Sequence, residues 1–201
     1  MGVLLWINGP FGGGKTQTVY EIHRRLPHSV VCDPEHVGFG LQRMAPPSLR
    51  GDFQDFQAWR QGVREVLDRA LTKHEGTVIA PMTLVEPGYF QEIIGGLRDD
   101  GHDVRHFALL ADRERVLRRL RVRGLGGLGR ESFAVSKLDV CLQRLREPGF
   151  GEHVRTDRLT IPQVADRIAA CADLTLTPNT DGALRGRLRR AWTSIKHIRF
   201  D

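Results

Sequence analysis

The segment VLLWINGPFGGGKTQTVYEIHRRL, residues 3–26, joins an apolar run to a helical pattern through a loop with glycine at 9, 12, 13 and 14, followed by Lys15 and Thr16. Glycines in succession let backbone N–H groups turn inward around an anion without steric penalty. The apolar run 3–8 reads as a buried strand, and 18–26 as a helix with Val19, Ile22 and Leu26 on one face. The loop between them satisfies G-x-x-x-x-G-K-[ST], a phosphate-binding pattern whose meaning depends on that strand–loop–helix setting. The predicted phosphate cradle is Gly9, Pro10, Phe11, Gly12, Gly13, Gly14, Lys15, Thr16 and Gln17. In it the loop amides and the helix N-terminus hold the β-phosphate, Lys15, as an exposed loop lysine, reaches the β/γ oxygens, and the Thr16 hydroxyl ligates Mg²⁺.

Such a loop needs a parallel sheet behind it, and the rest of the chain supplies the pattern. Strand-like runs fall at 3–8, 29–32, 77–80, 104–110 and 173–177, with helical patterns at about 17–26, 52–73, 87–99, 112–123, 132–146 and 162–171. That alternation predicts an α/β fold of three layers, a five-stranded parallel sheet with helices on both faces. A chain of 201 residues suits one such domain. We assign it to 1–181, with an arginine-rich lid at 113–137 and a separate basic amphipathic helix at 182–201.

Ligands of open parallel sheets bind beyond the carboxyl ends of the strands. After the second strand the chain reads CDPEHVG, which brings Asp33 and Glu35 to that edge. In kinases of small metabolites a carboxylate there takes the proton of a substrate hydroxyl or holds a water on Mg²⁺. Asp33 also suits the cap of a short helix beginning at Pro34, a role compatible with catalysis. The third strand, TVIAPMTLVEPG, ends without an acidic residue, unlike a GTPase or motor ATPase. Magnesium would then depend on Thr16, the phosphates and water held by Asp33. A long helix capped by Asp52 and stopped by Gly76 carries Trp59 on its apolar face and Arg60 beside it. Trp59 fits either the core or a ligand platform, and Arg60 is placed to meet a polar substrate.

The segment 113–130 holds seven arginines and one glutamate and runs into a glycine–leucine stretch. Arg115, Arg119 and Arg123 share one helical face. Arginines so placed can neutralise transferring phosphoryl charge when a flap closes.

Formal net charge is +6, and five of those charges lie in 182–201, where six basic residues face one aspartate. Its apolar stripe allows docking on the body, a homodimer contact, or weak attachment of 184–200 to an anionic membrane surface. Aromatic residues are not interleaved with the basic clusters, so no nucleic acid is expected as a partner. Three cysteines in apolar segments argue against a disulfide framework, and no apolar run reaches membrane-span length. A cytoplasmic protein, peripheral at the membrane if the last helix binds it, is the expectation.

The motifs GPFGGGKT, DPEHVG, DFQDFQAWR and VIAPMTL, in this order, resemble the tunicamycin-resistance family of P-loop proteins, over about residues 1–177. The resemblance implies a core similar to shikimate, gluconate and nucleoside monophosphate kinases, binding of ATP, and resistance to a nucleoside antibiotic. Similarity to the kinases implies Arg119 and Arg123 near the nucleotide, and the loop TPNTDG beside the adenine. The expected activity is phosphoryl transfer from Mg·ATP to a hydroxyl of tunicamycin or a similar nucleoside-like molecule, with Lys15, Asp33, Glu35, Arg119 and Arg123 as catalytic candidates and Asp33, Glu35, Trp59 and Arg60 facing the substrate. ATP-dependent sequestration without modification is the alternative.

Overall fold

The computed structural model describes residues 2–123 and 128–182. The described chain begins with strand β1 (Val3–Asn8), which enters helix α1 (Lys15–Arg25) through the glycine loop. Then follow β2 (Val30–Val31), α2 (Glu35–Met44), α3 (Gln57–Lys73) and β3 (Thr77–Pro81). A helical stretch comes next, from α4 (Pro87–Phe90) through a π turn (Gln91–Gly95) to α5 (Gly96–Asp99). The rest is β4 (Asp103–Leu110), α6 (Arg113–Arg123), α7 (Leu128–Arg144), β5 (Glu152–Arg155) and α8 (Ile161–Cys171).

The five strands form one parallel sheet in the order β2-β3-β1-β4-β5. β1 lies at its centre, with Leu5 in register with Ile79 on one side and Arg105 on the other. A central strand covered on both faces has no polar side, which is why VLLWI is apolar without alternation. Its side chains still divide by the two-residue period. Leu4 and Trp6 enter a core shared with Trp59, Val63 and Leu67 of α3 and with Ile93 and Leu97. Leu5 and Ile7 enter the opposite core with Val19 and Ile22 of α1 and with Val164 and Ile168 of α8. Each such fully buried side chain contributes about 1.5–3 kcal/mol. The chain leaves β1 toward β2 on one side while β4 lies on the other, so the glycine loop stands where the strand order reverses.

The predicted sheet is present, but its fifth strand is not the expected one. Residues 173–177 are not a strand: Thr177 N–H donates to the Arg25 carbonyl at 2.8 Å, and Arg25 Nε returns a bond to Thr177 O at 2.7 Å. Leu174 and Leu176 pack half-buried on the α1/α8 core, so their alternation reports an extended segment lying against helices. The true edge strand, EHVR, buries only Val154 and carries no apolar run. Asp52 also differs from expectation. Its carboxylate accepts Gln54 N–H at 3.1 Å and caps the short 3-10 turn Phe53–Asp55, while α3 starts at Gln57.

Among the described residues no helix is long and apolar enough to cross a membrane. The C-terminal segment 184–200, with its expected dimer or membrane contact, lies outside the described residues, as do 124–127 of the expected lid.

Candidate nucleotide and substrate site

The cradle forms because the chain must reverse from a buried strand into a helix with almost no side chain. Gly14 takes φ 97° as it enters α1, and Gly12 takes φ 73°, both left-handed values that favour glycine. A Cβ on Gly12 would also stand 3.0 Å from the Leu120 side chain, so α6 packs directly over the loop. Gly13 N–H closes a turn on the Pro10 carbonyl at 2.9 Å. Phe11 packs half-buried on Val116, Leu120, Leu138 and Leu142 of α6 and α7. The first turn of α1 contains no acidic residue and its Gly14 cap supplies no side-chain acceptor, so the positive end of the helix dipole is aimed at the loop. Thr16 and Gln17 lie half-buried in that first turn.

Lys15 is not the exposed loop residue expected of it. It is only 9% exposed, and its Nζ donates to the carbonyls of Gly9 (2.9 Å) and Pro10 (3.1 Å) and to Thr83 Oγ1 (2.6 Å). The back wall of the site is polar and buried. Asn8, the last residue of β1, donates through Nδ2 to Leu84 O (2.7 Å) and to His106 Nε2 (3.1 Å), and its Oδ1 accepts from the N–H groups of Gly9 (2.8 Å) and Leu84 (3.0 Å). One amide thus ties together the ends of β1 and β3. The bond from Nδ2 assigns His106 the role of acceptor at Nε2. Burial pushes this imidazole down to about 3; Arg98 and His153 add to the shift, and a backbone bond at Phe150 opposes it.

On the β2 side, Cys32 N–H continues the parallel ladder to Ile79 O (2.9 Å) and delivers Asp33 to the carboxyl edge. Asp33 Oδ1 accepts Glu35 N–H at 3.0 Å, and both residues are half-buried at the start of α2. Trp59 is fully buried and presents no open face; its indole N–H donates to the Pro34 carbonyl at 3.0 Å, fixing the Asp33–Glu35 turn from behind. Arg60 is engaged as well. It bonds Gln54 O (2.7 Å) and Glu92 (2.7 Å) and lies 4.3 Å from the Tyr89 ring centre.

Arg119 comes to the glycine loop. Its guanidinium donates to Gly13 O and Thr156 O, both at 3.4 Å, bridging the cradle to the loop after β5. Because β5 is the last strand among the described residues, the loop that follows it is 156–160, not the TPNTDG segment at 177–182. The side chain of Arg123, at the end of α6, lies outside the described residues.

Asn8, Thr83, Gln54 and His106 are not among the residues expected at the site from the sequence. Asn8 carried the clearest signal, a polar residue ending an otherwise apolar strand directly before the first loop glycine. The left-handed glycines, the acid-free helix start and the buried ammonium fit a polyphosphate. Among the described residues no three His, Cys, Asp or Glu side chains gather as a metal cluster. Thr16, in the first turn of α1, and Asp33, at the carboxyl edge, are the residues that could serve a magnesium ion, Thr16 directly and Asp33 through a water.

The AAA domain family model matches residues 4–148. A tunicamycin resistance protein from Deinococcus radiodurans is 36% identical, with a TM-score of 0.76, covering 89% of this chain and 100% of that one. A sugar kinase from Janibacter sp. (18% identity, TM-score 0.63, 87% of this chain and 96% of that one) shares the fold. So does an APS kinase from Mycobacterium tuberculosis (16%, 0.57, 86% and 96%). No curated protein sequence matches. A glycine cradle at the reversal of a five-stranded parallel sheet, with that similarity along the whole length of a resistance protein, places the chain in the tunicamycin-resistance family of P-loop proteins, within the AAA domain family.

Proposed function

We propose that the protein binds Mg·ATP in the Gly9–Thr16 loop and transfers the γ-phosphoryl group to a hydroxyl of tunicamycin or a similar nucleoside-like molecule. The observation that carries this reading is the shared edge of the sheet: the glycine cradle follows β1, and Asp33 follows β2, two strands away on the same carboxyl side. The Deinococcus relative suggests the ligand.

Magnesium, when bound, neutralises phosphate charge and orients the reacting phosphoryl group. The chain's own residues do the rest. Loop amides and the α1 N-terminus hold the β-phosphate, and Lys15 exchanges its carbonyl partners for phosphate oxygens. Arg119 closes over the cradle from α6 and borders the adenine together with 156–160, with Arg123 one turn further on. Asp33 accepts the proton as the substrate oxygen bonds to the γ-phosphorus and the bridging P–O bond to ADP breaks. Glu35 and Arg60 orient the substrate, while Trp59 keeps their platform rigid. Positioning and charge neutralisation supply most of the rate.

A second reading is ATP-dependent sequestration without modification. It draws on the end of β3, where Thr83 rather than an acid faces the cradle. Incubation of protein, tunicamycin and γ-labelled ATP separates the two. Label recovered in the drug supports transfer. Drug retained by the protein only in the presence of ATP, and released unlabelled, supports capture.

A further inference from the structure

Thr83 stands just past the end of β3, next to β1, where an acidic side chain would serve the metal in other P-loop proteins. It is 4% exposed, and its single hydroxyl proton is committed: Oγ1 donates to Gly9 O at 2.8 Å. The lone pairs of Oγ1 therefore face Lys15 Nζ, 2.6 Å away, the shortest of the three bonds given above for that ammonium. The main chain at this point is held from both sides. Thr83 O accepts Gln54 Nε2 at 3.2 Å, and the next residue, Leu84, is gripped by Asn8 through both its N–H and its carbonyl. Gln54 belongs in turn to the turn capped by Asp52, and its own carbonyl receives Arg60.

We propose that Thr83 is the positioning residue for Lys15. Two of the bonds at Nζ go to loop carbonyls, which a polyphosphate replaces by offering stronger, charged acceptors. The Thr83 bond is different in kind, because its acceptor is a side-chain hydroxyl just past the end of β3 rather than a carbonyl of the loop. It is the pivot about which the ammonium turns from Gly9 and Pro10 toward the β/γ oxygens. Through Gln54 the same residue is joined to the segment bearing Arg60, so the seat of the lysine is set partly from the substrate side. The inference rests on the ATP-binding part of the proposed function, not on phosphoryl transfer.

Thr83→Val keeps the shape and removes the acceptor; Thr83→Ser keeps the acceptor. Binding of ATP and of AMP to the full chain is measured by titration calorimetry, with thermal melting alongside. Thr83→Val is expected to weaken ATP about tenfold, the loss of one hydrogen bond to a charged group. AMP, which lacks the β and γ phosphates, is expected to bind both variants as it binds the natural protein, and Thr83→Ser to restore ATP affinity. Should Thr83→Val fail to fold, Thr83→Ala gives the same comparison with less crowding. Unchanged ATP affinity in a folded hydroxyl-free variant overturns the inference, as does an equal loss for ATP and AMP, which marks a structural role. If the natural protein binds no ATP, the proposed function itself falls, an outcome distinct from both.

Discussion

His106 makes the back wall of the site sensitive to acid in a way that can be worked through. Its ring is 4% exposed, meets Phe90 at 4.9 Å between ring centres, and accepts from Asn8. Burial holds its pKa near 3 in the native state, against an ordinary value of 6.5. Between these values the unfolded chain binds a proton that the native protein does not, so stability is complete above 6.5 and is lost as pH falls toward 3. From pH 7.5 to 5 the gap spans roughly 1.5 units at about 1.4 kcal/mol each, a loss of about 2 kcal/mol from this one residue. His106→Gln retains an acceptor for Asn8 and does not titrate. Urea unfolding of both proteins at pH 7.5 and pH 5 cancels the other titrating groups, so the variant is expected to lose about 2 kcal/mol less than the natural protein over that interval. Equal losses in the two proteins would refute the assignment of a buried neutral imidazole.

The remaining predictions concern the cradle and its surroundings. Lys15→Ala is expected to lower ATP affinity roughly 10- to 100-fold while the chain stays folded, read by nucleotide titration beside thermal melting. Under the phosphoryl-transfer reading, Asp33→Asn keeps the acceptor for Glu35 N–H and loses the base, so turnover is expected to drop about 100-fold or more with ATP binding retained; a loss confined to Glu35→Gln would reverse the two roles. Trp59→Phe keeps an aromatic ring but loses the indole donor to Pro34 and part of the buried volume, and is expected to cost about 2–3 kcal/mol in denaturant unfolding with a rise in substrate KM. ATP is expected to raise amide protection along α6 through Arg119, measured by hydrogen exchange with a non-hydrolysable analogue; unchanged protection would mean that Arg119 keeps its bonds to Gly13 and Thr156 and takes no phosphate.

The parts of the molecule legible in the sequence were those where one local rule acts alone. An apolar strand, a glycine loop and an amphipathic helix in succession leave few ways to fold, and residues 3–26 took the expected form, with β1 at the sheet centre. Asp33 could be placed at the carboxyl edge from its position after β2 because that edge of a parallel sheet is a topological fact. What escaped was settled by partners remote in sequence. Leu174 and Leu176 alternate as a strand does, but Arg25 claims Thr177, and the edge of the sheet goes to a polar EHVR held by β4. Asp52 is a good cap, yet the turn it closes is the 3-10 turn that presents Gln54 to Thr83, with the long helix beginning later. Lys15 reads as exposed from its loop, whereas burial by Thr83, 68 positions away, is invisible to any window of sequence. Each of these differences lies where elements remote in sequence meet. There side chains are fixed by polar bonds between distant elements, whereas the well-read parts of the chain are ordered by apolar periodicity. A window of sequence registers periodicity directly, but a bond such as Thr83 to Lys15 becomes visible only once β3 has been paired with β1.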